Sequence, residues 1–373
     1  GLSLTSLGGI ATAPVGSSYQ ITPSAAVITG GTAVTLNYVS ALMTVQPRPI
    51  TIAAVGITTT YGTPVTVSQN LTTGYTIGGS GLGASDTLTS VAVNYYNGTT
   101  NSTTVPGSTG AATYNAAITT SAATGTGGFN STNYNITYTP ANLVVNKLAV
   151  SLTANSQSTV YGTALALGTT AYTSSLSSLP NGDTISGVTL QYNSSATVPG
   201  TTNALTYTGG IVASSATGTG GFGATNYAIT YSPGNLTVTP ANVVITPANV
   251  SASGQTVMYN GAAQTFNPST GFTVTGMQNS QALVFSTNGL ASGLNVGTYA
   301  NTITTSGSNP TVTGVTNGGS LSNYNISVSA QGSLTITPAP LTVAGATSNV
   351  AYNGSLQNNA NPVVTGLVGI DTQ

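Results

Sequence analysis

The charged side chains are the first place to look for chemistry, because acid–base, nucleophilic and metal catalysis draw mainly on His, Cys, Asp, Glu and Lys. The 373 residues include three acidic and two basic side chains, with no His and no Cys. The complete set is Arg48, Lys147, Asp86, Asp183 and Asp371. The three carboxylates lie far apart along the chain, and few basic side chains are available to act with them. The sequence therefore predicts that the chain is not an enzyme and holds no metal or other cofactor.

The same shortage of charge limits the partners of the chain. Binding to nucleic acid or to an anionic membrane surface needs several cations, and the sequence supplies two. No run of about 18 apolar residues is present, so we expect no membrane insertion by this segment. The first residue is Gly1, and we expect the chain to be a mature or internal piece of a longer polypeptide.

The strongest pattern in the sequence is a repeat of about 95 residues. A tyrosine and glycine motif recurs at Tyr61-Gly62, Tyr161-Gly162, Tyr259-Asn260-Gly261 and Tyr352-Asn353-Gly354. Each copy is followed by a turn sequence, and these turns carry Asp86, Asp183, Gln281 and Asp371. The third of these turns has therefore exchanged the acid for an amide.

Three similar segments close the complete repeats, and they begin at Asn133, Asn226 and Asn323. In the second, Tyr227, Ile229 and Tyr231 alternate with small residues, which predicts a strand with one face in the core. The same pattern predicts inward positions for Tyr134 with Ile136 and for Tyr324 with Ile326. The turn sequence Ser232–Gly234 predicts that this strand and the next form a hairpin.

These landmarks predict three complete repeats, 47–146 (repeat 1), 147–241 (repeat 2) and 242–338 (repeat 3). We expect residues 1–46 to be the closing half of a preceding repeat and residues 339–373 to be the opening half of a following one. Short strands, frequent turns and few helix formers favour an all-β fold, an elongated tandem array of antiparallel β-sandwich-like modules. The alternative is a β-grasp-like module with one short helix, which would fall near Ser174–Pro180.

The order of these motifs resembles the YGX-type MBG modules and the YDG-type modules. The residues that carry the resemblance best are Tyr161-Gly162, Asn181–Thr184 and Asn226–Pro240. Such modules recur in tandem in filamentous-haemagglutinin-like bacterial exoproteins and surface adhesins. The resemblance covers nearly the whole chain and weakens in repeat 3, where Gln281 replaces the acid. It implies an extracellular location on the bacterial cell surface and transfers no catalytic or binding residue.

Two glycine-rich sequences, ATGTGGF, end at Phe129 and Phe222. Such a loop binds phosphate when a helix and a lysine follow. Here a strand follows, so we expect a hairpin loop whose Phe lies at the edge of the core or against the next repeat. We expect each Asp to bind neighbouring backbone amides in its turn, since one carboxylate per repeat is too few for calcium.

The remaining candidate residues have structural or surface roles. Asn97, Asn101 and Asn193 are candidate glycosylation sites, although sequons are no more frequent than the abundance of Asn, Ser and Thr predicts. We interpret most of the 19 tyrosines as core residues. The motif residues predicted to be structural are Tyr61, Gly62, Tyr161, Gly162, Asp86, Asp183, Tyr134, Tyr227 and Tyr324.

The leading hypothesis is a structural stalk or fibre segment of a large extracellular bacterial surface protein, of the kind found in filaments and biofilm matrix. Its partners would be neighbouring modules and other copies of itself, because little charge opposes association and strand edges pair readily. The alternative is an adhesin module that binds a surface glycan or a host protein. A binding array should repeat one constellation of side chains, so the loss of the acid and of the glycine-rich loop in repeat 3 favours the stalk.

Overall fold

The structure is a computed structural model that describes residues 1–30, 34–247, 255–267, 272–286, 290–301, 311–329, 332–358 and 361–372. The chain divides into two compact units. Unit 1 comprises residues 1–152, 173–188 and 215–231. Unit 2 comprises residues 153–172, 189–214 and 232–373.

The predicted all-β fold is confirmed. Over the described ranges the regular structure consists of strands and of short 3-10 helices at Leu7–Gly9, Ser131–Asn133, Pro180–Gly182 and Leu321–Asn323. The β-grasp alternative is wrong, because a strand ends at Ser174 and only a 3-10 turn occurs near Pro180. None of the helices in the described residues has the length and apolar character needed to cross a bilayer.

Unit 1 begins with one antiparallel sheet of order β1-β2-β3. Its strands are β1 (Ser3–Thr5), β2 (Gly16–Ser24) and β3 (Ala41–Val45). Repeat 1 follows, with strands β4 (Arg48–Ala54), β5 (Ile57–Thr60), β6 (Val65–Thr66), β7 (Tyr75–Gly79), β8 (Thr87–Tyr96), β9 (Asn101–Ser102), β10 (Thr104–Val105), β11 (Thr113–Thr126), β12 (Tyr134–Thr139) and β13 (Ala141–Asn146).

The strands of repeat 1 form two main sheets, of order β12-β4-β7 and β5-β13-β11-β8-β9, and a small pair, β10-β6. Alternate residues of these strands are apolar and fully or almost fully buried, as expected of sheets with one face in a core. Among the most deeply buried of them are Ile50, Ile52, Val93, Ile118 and Leu143.

The sheets are mixed, not purely antiparallel as the sandwich prediction had it. The opening strand β4 runs parallel to β12, and β5 runs parallel to β13. The predicted closing hairpin is therefore wrong, because β12 and β13 lie in different sheets. Only Pro140 separates them, and proline lacks the N–H that would continue a ladder. Alternation along a strand identifies its buried face but not its neighbour, which is why the sequence suggested a local partner.

Repeat 2 contributes residues to both units. Its strands are β14 (Leu148–Ala154), β15 (Gln157–Val160), β16 (Leu165–Ala166), β17 (Tyr172–Ser174), β18 (Thr184–Gln191), β19 (Thr197–Val198), β20 (Leu205–Thr219), β21 (Tyr227–Ser232) and β22 (Gly234–Thr239). Within unit 2, β22 pairs parallel to β15 and antiparallel to β20. Strand β21 belongs to another sheet than β22, so the hairpin is absent here too.

Repeat 3 lies in unit 2. Its strands are β23 (Ala241–Pro247), β24 (Gln255–Met258), β25 (Gln264–Thr265), β26 (Phe272–Thr275), β27 (Leu283–Phe285), β28 (Ser292–Gly293), β29 (Gly297–Asn301), β30 (Val312–Val315), β31 (Tyr324–Val328) and β32 (Gly332–Thr337), followed by β33 (Thr342–Ala344) and β34 (Val363–Thr365). The sheets are β26-β23-β31, β24-β32-β29, β25-β28, β27-β30 and β33-β34. Ile245, Phe266 and Leu334 are among the buried residues of its core.

The predicted inward face of the closing strands is confirmed except at one position. Tyr227 is buried and Ile229 half-buried, whereas Ala228 and Thr230 are exposed. Tyr134 with Ile136 and Tyr324 with Ile326 follow the same pattern. Tyr231 is 36% exposed, so its predicted core position is wrong. Its hydroxyl oxygen accepts a hydrogen bond from the Ala216 amide instead.

Candidate functional site

The acidic residue of repeat 2 is the centre of a buried polar cluster in unit 1. Asp183 is 5% exposed. Its Oδ2 accepts hydrogen bonds from the Tyr61 hydroxyl at 2.9 Å and from the Tyr227 hydroxyl at 2.7 Å, and its Oδ1 accepts one from the Gly221 amide. We call Tyr61, Asp183, Gly221 and Tyr227 the Asp183 cluster. A buried carboxylate is tolerated only with such partners, and here both oxygens have them.

Local structure places each member of this cluster. Tyr61 directly follows β5, and its amide donates to the carbonyl of Asn146. Asp183 follows a 3-10 turn in which Asn181 has a positive φ of 58°. Tyr227 is the first residue of β21. Backbone hydrogen bonds fix the positions of all three residues. Their side chains, which lie at the ends of strands and of a turn, therefore converge at one point.

The glycine-rich loop of repeat 2 supplies the amide. Gly220 has a φ of +72°, and a Cβ there would lie 2.5 Å from Asp183 Oδ1. A Cβ on Gly221 would overlap the Tyr61 hydroxyl oxygen. Glycine is therefore required for the backbone to approach the carboxylate. The loop therefore binds an anion, and that anion is the Asp183 carboxylate of the chain itself. Phe222, which ends this sequence motif, packs its ring 5.1 Å from that of Tyr227.

The electrostatics of the cluster keep the charge on the aspartate and the protons on the tyrosines. Burial alone would raise the pKa of Asp183, but hydrogen bonds from Tyr227, Gly221 and Tyr61 outweigh it and lower the pKa. Burial and the hydrogen bond to Asp183 raise the pKa of Tyr227 and of Tyr61. The arrangement stabilises a fixed charge and holds each proton on its tyrosine.

The Asp183 cluster joins residues of repeats 1 and 2. Tyr61 belongs to repeat 1, and the other members belong to repeat 2. Further contacts surround it: a Cβ on Gly62 would lie 2.6 Å from Pro180 Cγ, so these two segments of the chain approach closely there. The Asn181 side-chain amide donates to the carbonyl of Gly107 at 3.2 Å. The amide of Ala111 donates to Oδ1 of Asn226 at 3.0 Å.

Unit 2 holds an equivalent arrangement, which we call the Gln281 cluster, formed by Tyr161, Gln281 and Tyr324. Oε1 of Gln281 accepts hydrogen bonds from the Tyr161 hydroxyl at 3.2 Å and from the Tyr324 hydroxyl at 2.6 Å. The two tyrosine rings meet edge to face at 5.4 Å, compared with 5.5 Å for Tyr61 and Tyr227. An amide thus replaces the carboxylate while the geometry is retained.

The contacts around the Gln281 cluster match those around the Asp183 cluster. A Cβ on Gly162 would lie against the Gln278 side chain, as one on Gly62 would lie against Pro180. The Asn279 side-chain amide donates to the carbonyl of Gly200. The amide of Ala204 donates to Oδ1 of Asn323 at 2.7 Å. Repeats 2 and 3 therefore contact each other through the same positions as repeats 1 and 2.

The other two aspartates also bind tyrosine hydroxyls. Asp86 accepts a hydrogen bond from Tyr134, whose hydroxyl oxygen accepts one from the Gly83 amide at 2.8 Å. Asp371 accepts one from Tyr259 at 3.2 Å. These carboxylates bind residues distant in sequence, which the expected binding of amides in their own turns did not predict. Within the described residues, no three potential metal ligands lie together.

The candidate glycosylation residues occupy surface turns and a short strand. Oδ1 of Asn97 accepts hydrogen bonds from the amides of Thr99 and Thr100. Asn101 begins β9. Asn193 and Ser194 both have positive φ, 46° and 64°, in the turn after β18.

Sequence reasoning missed one set of residues, the asparagines that precede the closing tyrosines. Asn133, Asn226 and Asn323 each accept a hydrogen bond from a backbone amide about 115 to 120 residues away, at Val15, Ala111 and Ala204 respectively. Asn323 is completely buried. The signal was present, since an asparagine stands directly before the tyrosine in all three closing segments.

Comparison with known proteins identifies no family for this chain. No protein-family model matches it, and no curated protein does. Among solved structures, one with some similarity is the Bacteroides ovatus mixed-linkage glucan utilization locus (MLGUL) protein SGBP-B in complex with mixed-linkage heptasaccharide. The identity is 12%, and the alignment covers 78% of this chain and 68% of that chain. The TM-score of 0.12 is too low to support an argument about this chain.

Proposed function

We propose that the chain is a structural segment, a stalk or fibre, of an extracellular bacterial surface protein and that it performs no catalysis. The observation that supports this proposal is the recurrence of the Asp183 cluster as the Gln281 cluster. In both, the residues that define the sequence repeat bind the neighbouring repeat.

The exchange of acid for amide indicates what these positions require. A carboxylate and a carboxamide differ in charge and in acid–base chemistry, so a catalytic or ion-binding site would not survive the exchange. Both groups offer an oxygen that accepts two tyrosine hydroxyls. Accepting those hydroxyls is therefore the property that the two clusters share, and it serves cohesion between repeats.

Burial supports the same conclusion. Tyr61 and Tyr161 are 4% and 3% exposed, so neither presents its hydroxyl to a ligand in solution. Every polar atom at the centre of the Asp183 cluster binds another atom of the chain. A site that recognised a glycan would need unpaired polar groups or an open aromatic face.

The proposal is tested in the bacterium that produces the protein. Antibodies against the chain should label intact cells as strongly as permeabilised ones, and in-frame deletion of 147–241 should shorten the surface structure without abolishing display. The purified chain should show no saturable binding on a glycan array and no binding to host surface proteins. Labelling that requires permeabilisation would contradict the surface role, and saturable glycan binding would favour the adhesin alternative.

A further inference from the structure

The first and last strands of the repeats are paired in parallel. In repeat 1, all six residues of β12 pair with β4, from Tyr134 beside Arg48 to Thr139 beside Ala53. Strand β13 pairs with β5 over four residues, from Leu143 beside Ile57 to Asn146 beside Thr60. Repeat 3 has the same arrangement, with β31 beside β23 and β32 beside β24.

This pairing determines how a pulling force enters repeat 1. Tension along the chain acts on the start of β4 at Arg48 and on the end of β13 at Asn146. It draws β4 and β5 toward their amino ends, and β12 and β13 toward their carboxyl ends. Because the paired strands are parallel, the two forces are opposed along one axis. Each ladder is therefore sheared, and its hydrogen bonds share the force.

The antiparallel neighbour of β4 provides the contrast. Strand β7 pairs with β4 so that Gly79 lies beside Ile50 and Tyr75 beside Ala54. The end of β7 thus lies next to the start of β4. A force applied between those two points opens the pairs one after another and loads a single pair at a time.

The strands of the parallel ladders also belong to the core. Ile50 and Ile52 of β4 and Leu143 and Val145 of β13 are buried. Sliding one strand past the other would move these side chains out of their packing positions, which adds to the resistance of the hydrogen bonds.

We propose that the parallel ladders between opening and closing strands make these repeats resistant to tension along the chain. This inference rests on the proposed structural function, to which it adds a mechanical role: the segment transmits force between the cell and whatever the full protein holds. Mechanical unfolding is governed by the unfolding rate, and shearing raises the barrier because no bond can break alone.

The experiment is single-molecule stretching of the full chain through two introduced cysteines, which the absence of native cysteine makes unique attachment points. The shear variant carries Gln46→Cys and Asn146→Cys, and the matched peeling variant carries Gln46→Cys and Ser80→Cys. All three side chains are exposed. Extended chain spans at most about 3.5 Å per residue, so the unfolding steps should lengthen the molecule by at most about 350 Å and about 120 Å, respectively.

We expect the shear variant to unfold at a force several-fold higher than the peeling variant at the same loading rate. Equal forces, with the expected lengths, would overturn the proposal. A second shear variant, Pro240→Cys with Pro338→Cys, repeats the measurement on repeat 3 in case the first pair disturbs folding, and it should match the first. Because the measurement uses purified protein, failure here leaves the surface role intact, and failure of cell-surface labelling leaves the measured forces unchanged.

Discussion

Removing the carboxylate of Asp183 should loosen the contact between repeats 1 and 2 by a predictable amount. Asp183→Ala leaves three donors of the Asp183 cluster without an acceptor, the hydroxyls of Tyr61 and Tyr227 and the amide of Gly221. Each buried, unsatisfied donor costs about 1–3 kcal/mol. Since water will reach some of them, we expect a total loss of about 4 kcal/mol in the free energy of local opening.

Asp183→Asn removes the charge of the side chain while nearly keeping its shape. The asparagine oxygen can still accept from the hydroxyls of Tyr61 and Tyr227, as Oε1 of Gln281 accepts two hydroxyls in the other cluster. Its NH₂ group then faces the Gly221 amide, which is left without an acceptor. One buried donor without an acceptor costs about 1–3 kcal/mol, so we expect a loss of about 2 kcal/mol for the variant.

Hydrogen exchange measured by mass spectrometry reports this opening directly. Peptides that contain the Gly221 amide should exchange about 30-fold faster in Asp183→Asn, since 1.4 kcal/mol is a factor of ten, and faster still in Asp183→Ala. Tyr96→Phe is the control, because Tyr96 is exposed and its hydroxyl donates to the nearby Gly98 carbonyl. Unchanged exchange in Asp183→Ala would refute the role assigned to the cluster.

Three further predictions concern the same contacts. The folded-state pKa of Asp183 is lowered, so its contribution to stability is complete above an unfolded pKa of about 3.9 and is lost as pH falls through the folded value. The melting temperature should therefore be constant from about pH 5 to 8 and decline below about pH 4. The decline should be smaller in Asp183→Asn. Gly221→Ala, whose Cβ would overlap the Tyr61 hydroxyl, should lower stability by about 2 kcal/mol, whereas Gly223→Ala, with nothing closer than 4.0 Å, should be nearly neutral in the same melts. Gln281→Glu should make the Gln281 cluster sensitive to acid below about pH 4; identical melting of the variant and the unmodified chain at pH 3 would contradict this.

Much of the fold followed from the sequence because local chemistry fixes it. Scarce helix formers and abundant β-branched residues predicted an all-β chain. Alternation along the closing strands predicted that Tyr227 is buried and that Ala228 is exposed, because side chains on a strand point to opposite faces in turn. The repeat also identified the tyrosines and turn residues that matter, since their order recurs along the chain.

Tertiary structure alone decided which of these residues meet. The partner of Asp183 is Tyr61, 122 residues earlier, and no local pattern encodes such a distance. The parallel pairing of β4 with β12 could not be predicted for the same reason, because alternation indicates which face of a strand is buried but not which strand lies beside it. Tyr231 continues the alternation and is nonetheless exposed, because alternation assigns a side chain to one face of its strand but does not determine what covers it there. The sequence determined what each segment is, and the packing of segments distant along the chain determined what it contacts.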